Sequence, residues 1–159
     1  ESSMKILMVC LGNICRSPLA DGILRHKVNK LKLNIEVDSA GTANYHEGEA
    51  PDRRMIETAR LRGIDISILK ARQFKKNDFQ IFDQIYVMDQ NNYRNVIQLA
   101  DTETEKDKVK LLLQAINNYQ ALEVPDPYYG NQDDFDEVYN MVDRATDAII
   151  DAFLKNEKR

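Results

Sequence analysis

The chain has 159 residues, of which 43% are hydrophobic and 30% are charged, as in a folded protein the size of one domain. The net charge of −4 argues against a nucleic-acid-binding protein, which usually carries a basic face. No apolar run approaches the roughly 18 residues that span a bilayer. The two cysteines, Cys10 and Cys15, are too few and too close for a secreted disulfide framework, so we predict a cytoplasmic protein.

The predicted elements alternate between strands and helices. Residues 5–9 form a nearly unbroken apolar run, typical of a strand that is buried on both faces, and a helix is predicted over 18–31. The later elements are strands at 35–40 and 82–88, helices at 52–63, 90–99 and 135–155, and an exposed connection at 102–110. Residues 109–113 fit a fourth strand and a helix almost equally well. The alternation predicts an α/β fold with a parallel sheet covered on both faces.

The boundaries of the folded unit are predicted from composition. The sequence has no repeat, no low-complexity stretch and no linker rich in Gly, Pro or Ser, which favours a single domain over residues 4–156. Residues 1–3 are interpreted as leftover sequence before a natural start at Met4, or as a disordered N-terminus.

The segment from Cys10 to Ser17 connects the first strand to the first helix. In a parallel sheet, ligands bind beyond the carboxyl ends of the strands. A loop that enters a helix N-terminus turns backbone N–H groups towards an anion. Gly12 and Asn13 are residue types that tolerate the unusual dihedrals such a loop needs. The position and composition of the segment therefore predict a phosphate-binding loop.

Cys10 and Arg16 are spaced as C-x5-R within this loop. The planar guanidinium of Arg16 can bind two phosphate oxygens at once, and a thiolate at Cys10 would be the nucleophile that attacks phosphorus. Ser17 could donate a hydrogen bond to this thiolate, cap the helix, or do both. Cys15 is either a small buried residue or a resolving thiol that traps oxidised Cys10 as a disulfide.

The leaving group of a phosphate ester needs a proton donor. Of the two histidines, His26 is expected on a helix surface and His46 in a loop that could border the site. A carboxylic acid is the better candidate. Asp126 lies between two prolines that stiffen the backbone, and two tyrosines follow in the sequence. The local sequence fits a plain Pro/Gly turn equally well.

Together, these motifs resemble the low-molecular-weight protein tyrosine phosphatase family over nearly the whole chain, from Met4 to about Leu154. The resemblance implies one phosphatase domain with a three-layer, four-stranded, parallel twisted sheet and helices on both faces. The most specific segments are CLGNICRSP at 10–18 and DPYYG at 126–130, supported by SAGT at 39–42, ARQ at 71–73 and MD at 88–89.

The resemblance also implies a reaction. Cys10 attacks the phosphotyrosine of a protein substrate and forms a phosphocysteine while Asp126 protonates the tyrosine oxygen. Asp126 then activates water, which releases inorganic phosphate, with no metal and no cofactor. Asn13 would hold the loop in shape and Ser17 would assist the thiolate. The substrate-binding residues implied are Leu11, Gly12, Asn13, Ile14, Cys15, Ser17, Tyr45, Tyr128 and Tyr129.

One position departs from the family pattern. Many members carry a histidine just before the ARQ stretch, where it helps to support the loop asparagine, and here Leu69 takes that place. The support of Asn13 is therefore expected to come from elsewhere, with Ser39 as the candidate, or to be weaker.

Three other functions compete with this interpretation. An arsenate reductase would need further cysteines to pass a disulfide along, and only Cys15 is present beside Cys10. Protein arginine phosphatases tend to carry threonine where Ile14 stands, so Ile14 favours phosphotyrosine. A phosphate- or phosphotyrosine-binding module would have no use for a reactive cysteine and a positioned acid.

Overall fold

The computed structural model describes residues 3–117 and 121–157, so two of the three residues interpreted as leftover or disordered sequence, 1 and 2, lie outside the described residues. The strands are β1 Met4–Cys10, β2 Ile35–Gly41, β3 Gln84–Val87 and β4 Val109–Leu111. The helices are α1 Arg16–Leu31, α2 Arg53–Arg60, α3 Asp78–Ile81, α4 Gln90–Ile97, α5 Glu103–Asp107 and α6 Gln132–Glu157. The four strands pair in parallel in the order β2-β1-β3-β4, which confirms the predicted α/β fold.

The central strand β1 sends alternate side chains to opposite faces of the sheet. Ile6 and Met8 enter one core, which also holds residues of α1, α2 and α6. Leu7 and Val9 enter a second core, which holds residues of α3 and α4. The result is three layers, and Cys10 lies at the carboxyl end of β1.

The first helix begins earlier than predicted. α1 starts at Arg16, and its N-cap is Cys15, whose side chain makes no capping hydrogen bond. Of the roles left open for Ser17, that of a helix cap is excluded, because Ser17 lies within the first turn. Pro18 fits this turn because the first N–H groups of a helix have no intrahelical partner.

Two segments of the second half differ from the prediction. Residues 102–110, predicted as an exposed connection, contain α5, which is capped by the side chain of Thr102. Residues 109–113 combine both predicted alternatives. β4 takes the first three residues, and the rest belong to the 3-10 helix Leu112–Ala115. The strand is short because only Val109–Leu111 pair with β3 before the chain turns.

The longest helix, α6, packs against α1 through an apolar face. It begins at Gln132 rather than at 135. Ala152, predicted on the buried face, is exposed, whereas the neighbouring Phe153 is buried. Across residues 3–117 and 121–157, no helix is both long and apolar enough to cross a membrane.

Candidate active site

The loop between β1 and α1 has one residue in the left-handed region. Asn13 has a φ of 58°, a conformation that asparagine tolerates better than most residues. Gly12 does not have a positive φ, so the expectation that it supplies unusual dihedrals is wrong. Its lack of a side chain provides space instead, because a Cβ at this position would lie 3.2 Å from Cδ2 of His46.

The first two carbonyl groups of the loop form hydrogen bonds with the segment that follows β2. The carbonyl oxygens of Cys10 and Leu11 accept hydrogen bonds from the two residues after β2, both at 2.9 Å. A Cβ at Gly41 would lie 2.8 Å from the carbonyl oxygen of Leu11, so this approach requires glycine. Within the described ranges, the N–H groups of residues 11–15 have no hydrogen-bond acceptor. They are therefore available to an anion.

The side chain of Asn13 holds the loop from within and is 2% exposed. Its Nδ2 donates to Oγ of Ser17 at 2.8 Å and to Oγ of Ser39 at 3.0 Å. Its Oδ1 accepts from the backbone N–H of Arg72 at 3.0 Å. The support that a histidine would give is replaced by two hydroxyls and one backbone group, while Leu69 packs against the apolar core.

The hydroxyl of Ser17 connects Asn13 to the nucleophile candidate. Oγ of Ser17 lies 2.9 Å from Sγ of Cys10. Because this oxygen accepts a hydrogen bond from Asn13, its own hydrogen is left to donate elsewhere. The alternative acceptor is the carbonyl oxygen of Ala40, at the longer distance of 3.4 Å. The shorter contact therefore favours donation to the sulfur.

The guanidinium of Arg16 is buried beneath the cleft and held on one side. Its Nη1 donates to Oδ2 of Asp89 at 2.6 Å and to the carbonyl oxygen of Val124 at 3.0 Å. Burial alone would lower the pKa of Arg16, but the negative groups at Cys10, Asp89 and Asp126 outweigh it and raise that pKa. Since Nη1 is occupied, the edge formed by Nε and Nη2 is the one left for a ligand.

The carboxylate of Asp126 faces this free edge. Its Oδ2 lies 3.6 Å from Nη2 of Arg16, and its Oδ1 accepts from the backbone N–H of Tyr128 at 3.1 Å. The side chain remains 43% exposed, which leaves it accessible to a substrate and to water. The prolines on either side, Pro125 and Pro127, restrict the backbone that carries it.

These groups open into one cleft of about 270 Å³. Its upper rim is aromatic, and Tyr45 and Tyr129 are 72% and 96% exposed. The rings of Tyr128 and Tyr129 meet edge to face, 5.0 Å apart. Asn13, Ser17 and Ser39 lie behind the cleft rather than in its wall. The lining residues are Cys10, Leu11, Gly12, Ile14, Cys15, Arg16, Tyr45, His46, Asp126, Tyr128 and Tyr129.

A family model described as "Low molecular weight phosphotyrosine protein phosphatase" matches residues 5–159. The chain belongs to this family. The low molecular weight phosphotyrosine protein phosphatase of Homo sapiens is 38% identical over 154 residues, covering 95% of this chain and 96% of the human protein. A low molecular weight protein-tyrosine-phosphatase of Streptomyces coelicolor is 37% identical, covering 93% of this chain and 92% of its own.

Solved structures agree with this family membership. A protein tyrosine phosphatase from Entamoeba histolytica, with Hepes in its active site, has a TM-score of 0.91 at 35% identity and covers 98% of this chain and 99% of its own. YfkJ from Bacillus subtilis has a TM-score of 0.91 at 34% identity, and the match covers 100% of this chain and 99% of YfkJ. The protein is therefore an enzyme of the low molecular weight phosphatase family, as its sequence motifs indicate.

The second cysteine of this phosphatase is part of the core. Cys15 is 4% exposed, and neither cysteine forms a disulfide. Burial raises the pKa of the Cys15 thiol, and the negative charges of Asp52, Cys10 and Asp126 raise it further. Cys15 is thus a neutral, buried thiol at neutral pH. Its action as a resolving thiol stays a prediction.

Two residues of the phosphatase site were given no role from sequence, although Asp89 belongs to the MD segment and His46 was expected in a loop that could border the site. Asp89 lies two residues after the end of β3, the strand beside β1, so its place at the carboxyl edge of the sheet was a usable signal. It also caps α4, since its Oδ1 accepts from the N–H of Asn92 at 2.8 Å. His46 lines the cleft, and its Nδ1 lies 3.1 Å from Oε1 of Glu49. No sequence signal decided between bordering the cleft and pointing into solvent.

Proposed function

We propose that residues 4–156 act as a single cytoplasmic phosphatase domain that hydrolyses phosphotyrosine in proteins. The chemistry would use the protein's own side chains, without a metal or a cofactor. One observation carries the proposal. A cysteine that contacts a serine hydroxyl at 2.9 Å shares a cleft with a buried arginine, and this arginine lies 3.6 Å from a carboxylate.

The first step transfers the phosphoryl group to the enzyme. The N–H groups of residues 11–15 and the free edge of Arg16 bind the phosphate oxygens and stabilise the charge that spreads over them in the transition state. The thiolate of Cys10 attacks phosphorus, and the bond between phosphorus and the tyrosine oxygen breaks. Protonated Asp126 gives its proton to that oxygen, so the product leaves as a neutral phenol.

The second step regenerates the enzyme. Asp126, now a carboxylate, takes a proton from a water molecule that attacks the phosphocysteine. The S–P bond breaks and inorganic phosphate is released. The thiolate of Cys10 is the leaving group, and a hydrogen bond from Ser17 would stabilise its charge.

The aromatic rim supports tyrosine as the phosphorylated residue. Tyr45 and Tyr128 line the cleft above the phosphate loop, where they could flank the ring of a phosphotyrosine. Ile14 contributes an apolar wall to the same cleft. The names of the relatives point to the same substrate class.

The experiment compares three phosphorylated substrates in a metal-free buffer: a phosphotyrosine peptide, a phosphoserine peptide and phosphoarginine. We expect turnover of phosphotyrosine alone, none by Cys10→Ser, and a loss of about 10² to 10⁴-fold for Asp126→Ala, the usual range for general acid catalysis. Asp133→Ala removes an exposed carboxylate outside the cleft and serves as the control.

Preferential turnover of phosphoarginine would assign the chain to the arginine phosphatases instead. Binding of phosphotyrosine without any turnover would indicate a binding module.

A further inference from the structure

The loop that carries Asp126 is anchored on both sides of this residue. On the upstream side, the N–H of Val124 donates to the carbonyl oxygen of Met88 at 2.8 Å, and the carbonyl oxygen of Val124 accepts from Arg16. On the downstream side, Nη2 of Arg54 donates to the carbonyl oxygen of Tyr128 at 2.9 Å. The downstream anchor is thus a side chain from a different element, α2.

The position of Asp126 depends on this downstream anchor. Its Oδ1 accepts a hydrogen bond from the N–H of Tyr128, the residue whose carbonyl group Arg54 holds. The guanidinium carbon of Arg54 also lies 5.5 Å from the ring centre of Tyr128 and 4.6 Å from that of Phe135. Arg54 therefore contacts both the backbone and the side chain of the residue that orients the acid.

Arg54 is itself fixed by Asp52, the N-cap of α2. Nε and Nη2 of Arg54 donate to the two carboxylate oxygens of Asp52 at 3.1 and 2.9 Å. Burial alone would raise the pKa of Asp52, but hydrogen bonds from the side chain and backbone of Arg54 outweigh it and lower that pKa. The Asp52 carboxylate therefore stays charged at neutral pH and keeps the guanidinium in one orientation.

Asp52 connects this pair to the phosphate loop. Its backbone N–H donates to the carbonyl oxygen of Ile14 at 2.8 Å. A continuous set of contacts thus runs from the phosphate loop through Asp52 and Arg54 to Tyr128 and then to Asp126. It joins two segments more than a hundred residues apart in the chain, one that binds phosphate and one that supplies the proton.

We propose that Arg54 is a positioning residue that sets the place of the Asp126 carboxyl group relative to the bound phosphate. The inference rests on the proposed function, because it assigns Arg54 a part in the proton transfer to the leaving group. Arg54 is not among the residues that line the cleft, so its loss should weaken general acid catalysis and leave phosphate binding intact.

The test uses aryl phosphates whose phenols differ in pKa, because a poor leaving group needs the proton more than a good one. For Arg54→Gln, we expect kcat/KM to fall about 10 to 100-fold with phenyl phosphate, part of the full value of a general acid. With a strongly electron-poor aryl phosphate, the fall should be less than about threefold on the same grounds. The inhibition constant of inorganic phosphate should not change.

Two further variants separate positioning from folding. Arg54→Lys keeps the positive charge but lacks the fork that spans Asp52 and Tyr128, so it should fall between wild type and Arg54→Gln. Arg53→Gln removes the neighbouring exposed arginine, which has no hydrogen-bond or ion-pair partner within residues 3–117 and 121–157. This control should match wild type with every substrate. Thermal unfolding of each variant verifies that it is folded.

The outcomes separate the inference from the proposed function. An equal loss with all leaving groups, or a weaker binding of inorganic phosphate by folded Arg54→Gln, would overturn the inference alone. Failure of the wild-type protein to hydrolyse any aryl phosphate would overturn the proposed function, and the inference with it.

Discussion

The hydroxyl oxygen of Ser17 lies 2.9 Å from the sulfur of Cys10. Asn13 donates to the same oxygen at 2.8 Å, which leaves the hydroxyl hydrogen for the sulfur. In the proposed mechanism, a hydrogen bond from Ser17 to this sulfur would stabilise a negative charge on Cys10, both when it attacks and when it leaves.

Replacement of Ser17 by alanine should slow the second chemical step most. A hydrogen bond to a charged group contributes about 1.5–3 kcal/mol, so the release of the Cys10 thiolate should slow roughly 10 to 100-fold. Rapid-mixing kinetics should then show a burst of phenol before slow turnover. Ser67→Ala, which removes an exposed hydroxyl bonded to Asp65, is the matched control. Steady turnover at the wild-type rate without a burst would contradict this role.

Two substitutions of Asn13 separate the effect of its left-handed backbone on stability from the effect of its hydrogen bonds. Asn13→Gly and Asn13→Ala both remove the bonds to Ser17, Ser39 and Arg72. Only alanine also carries the cost of a left-handed backbone, about 1–2 kcal/mol. We expect Asn13→Ala to lower the free energy of unfolding by about 1 kcal/mol more than Asn13→Gly. Urea unfolding measures the difference, and equal stabilities would show that the loop changes conformation without Asn13.

Asp89→Asn should reduce activity while leaving the fold largely intact. The side-chain oxygen of asparagine can still cap α4. Its amide nitrogen is a donor, however, and cannot accept the hydrogen bond that Nη1 of Arg16 gives to Asp89. We expect the inhibition constant of inorganic phosphate to rise about tenfold, in keeping with the loss of one charged hydrogen bond. An unchanged constant, with a melting temperature close to that of wild type, would show that Asp89 does not orient Arg16.

The two thiols should differ in reactivity. Since burial and nearby negative charge raise the pKa of Cys15, it stays a neutral thiol at neutral pH, and alkylation should reach it only in strongly alkaline solution. Iodoacetamide at pH 7 should modify Cys10, and inorganic phosphate should protect it. Peptide mapping measures both sites, with the denatured protein as the control in which both react. Equal labelling of the native thiols would contradict this assignment.

The position of the loop between β1 and α1 could be predicted from sequence because its signals are local. An apolar strand ends at Cys10, and the next residues include Asn13, the type that suits a left-handed position, and Arg16. The same local reasoning was wrong for Gly12, whose small size matters because of His46, a residue far along the chain. It also left the helix cap open as a role for Ser17, whereas the helix begins one residue earlier and its N-cap is Cys15.

Contacts between distant segments could not be predicted in this way. The pairing of Arg16 with Asp89 joins residues 73 positions apart, and that of Arg54 with Tyr128 joins residues 74 apart. Each depends on side chains that meet only after the sheet and α2 are assembled. The short helices α3 and α5 were missed for a related reason, because elements of four and five residues carry too little periodicity.

The covalent intermediate on Cys10 gives the most direct test of the mechanism. Wild-type protein mixed with a phosphotyrosine peptide and quenched in acid within milliseconds should carry a phosphoryl group on the peptide that contains Cys10. The Cys10→Ser variant provides the blank. Detection of the phosphoryl group at this position, in an amount that matches the burst of product, is the predicted result. Hydrolysis of the peptide with no phosphoryl group on Cys10, or with one on another residue, would contradict the account.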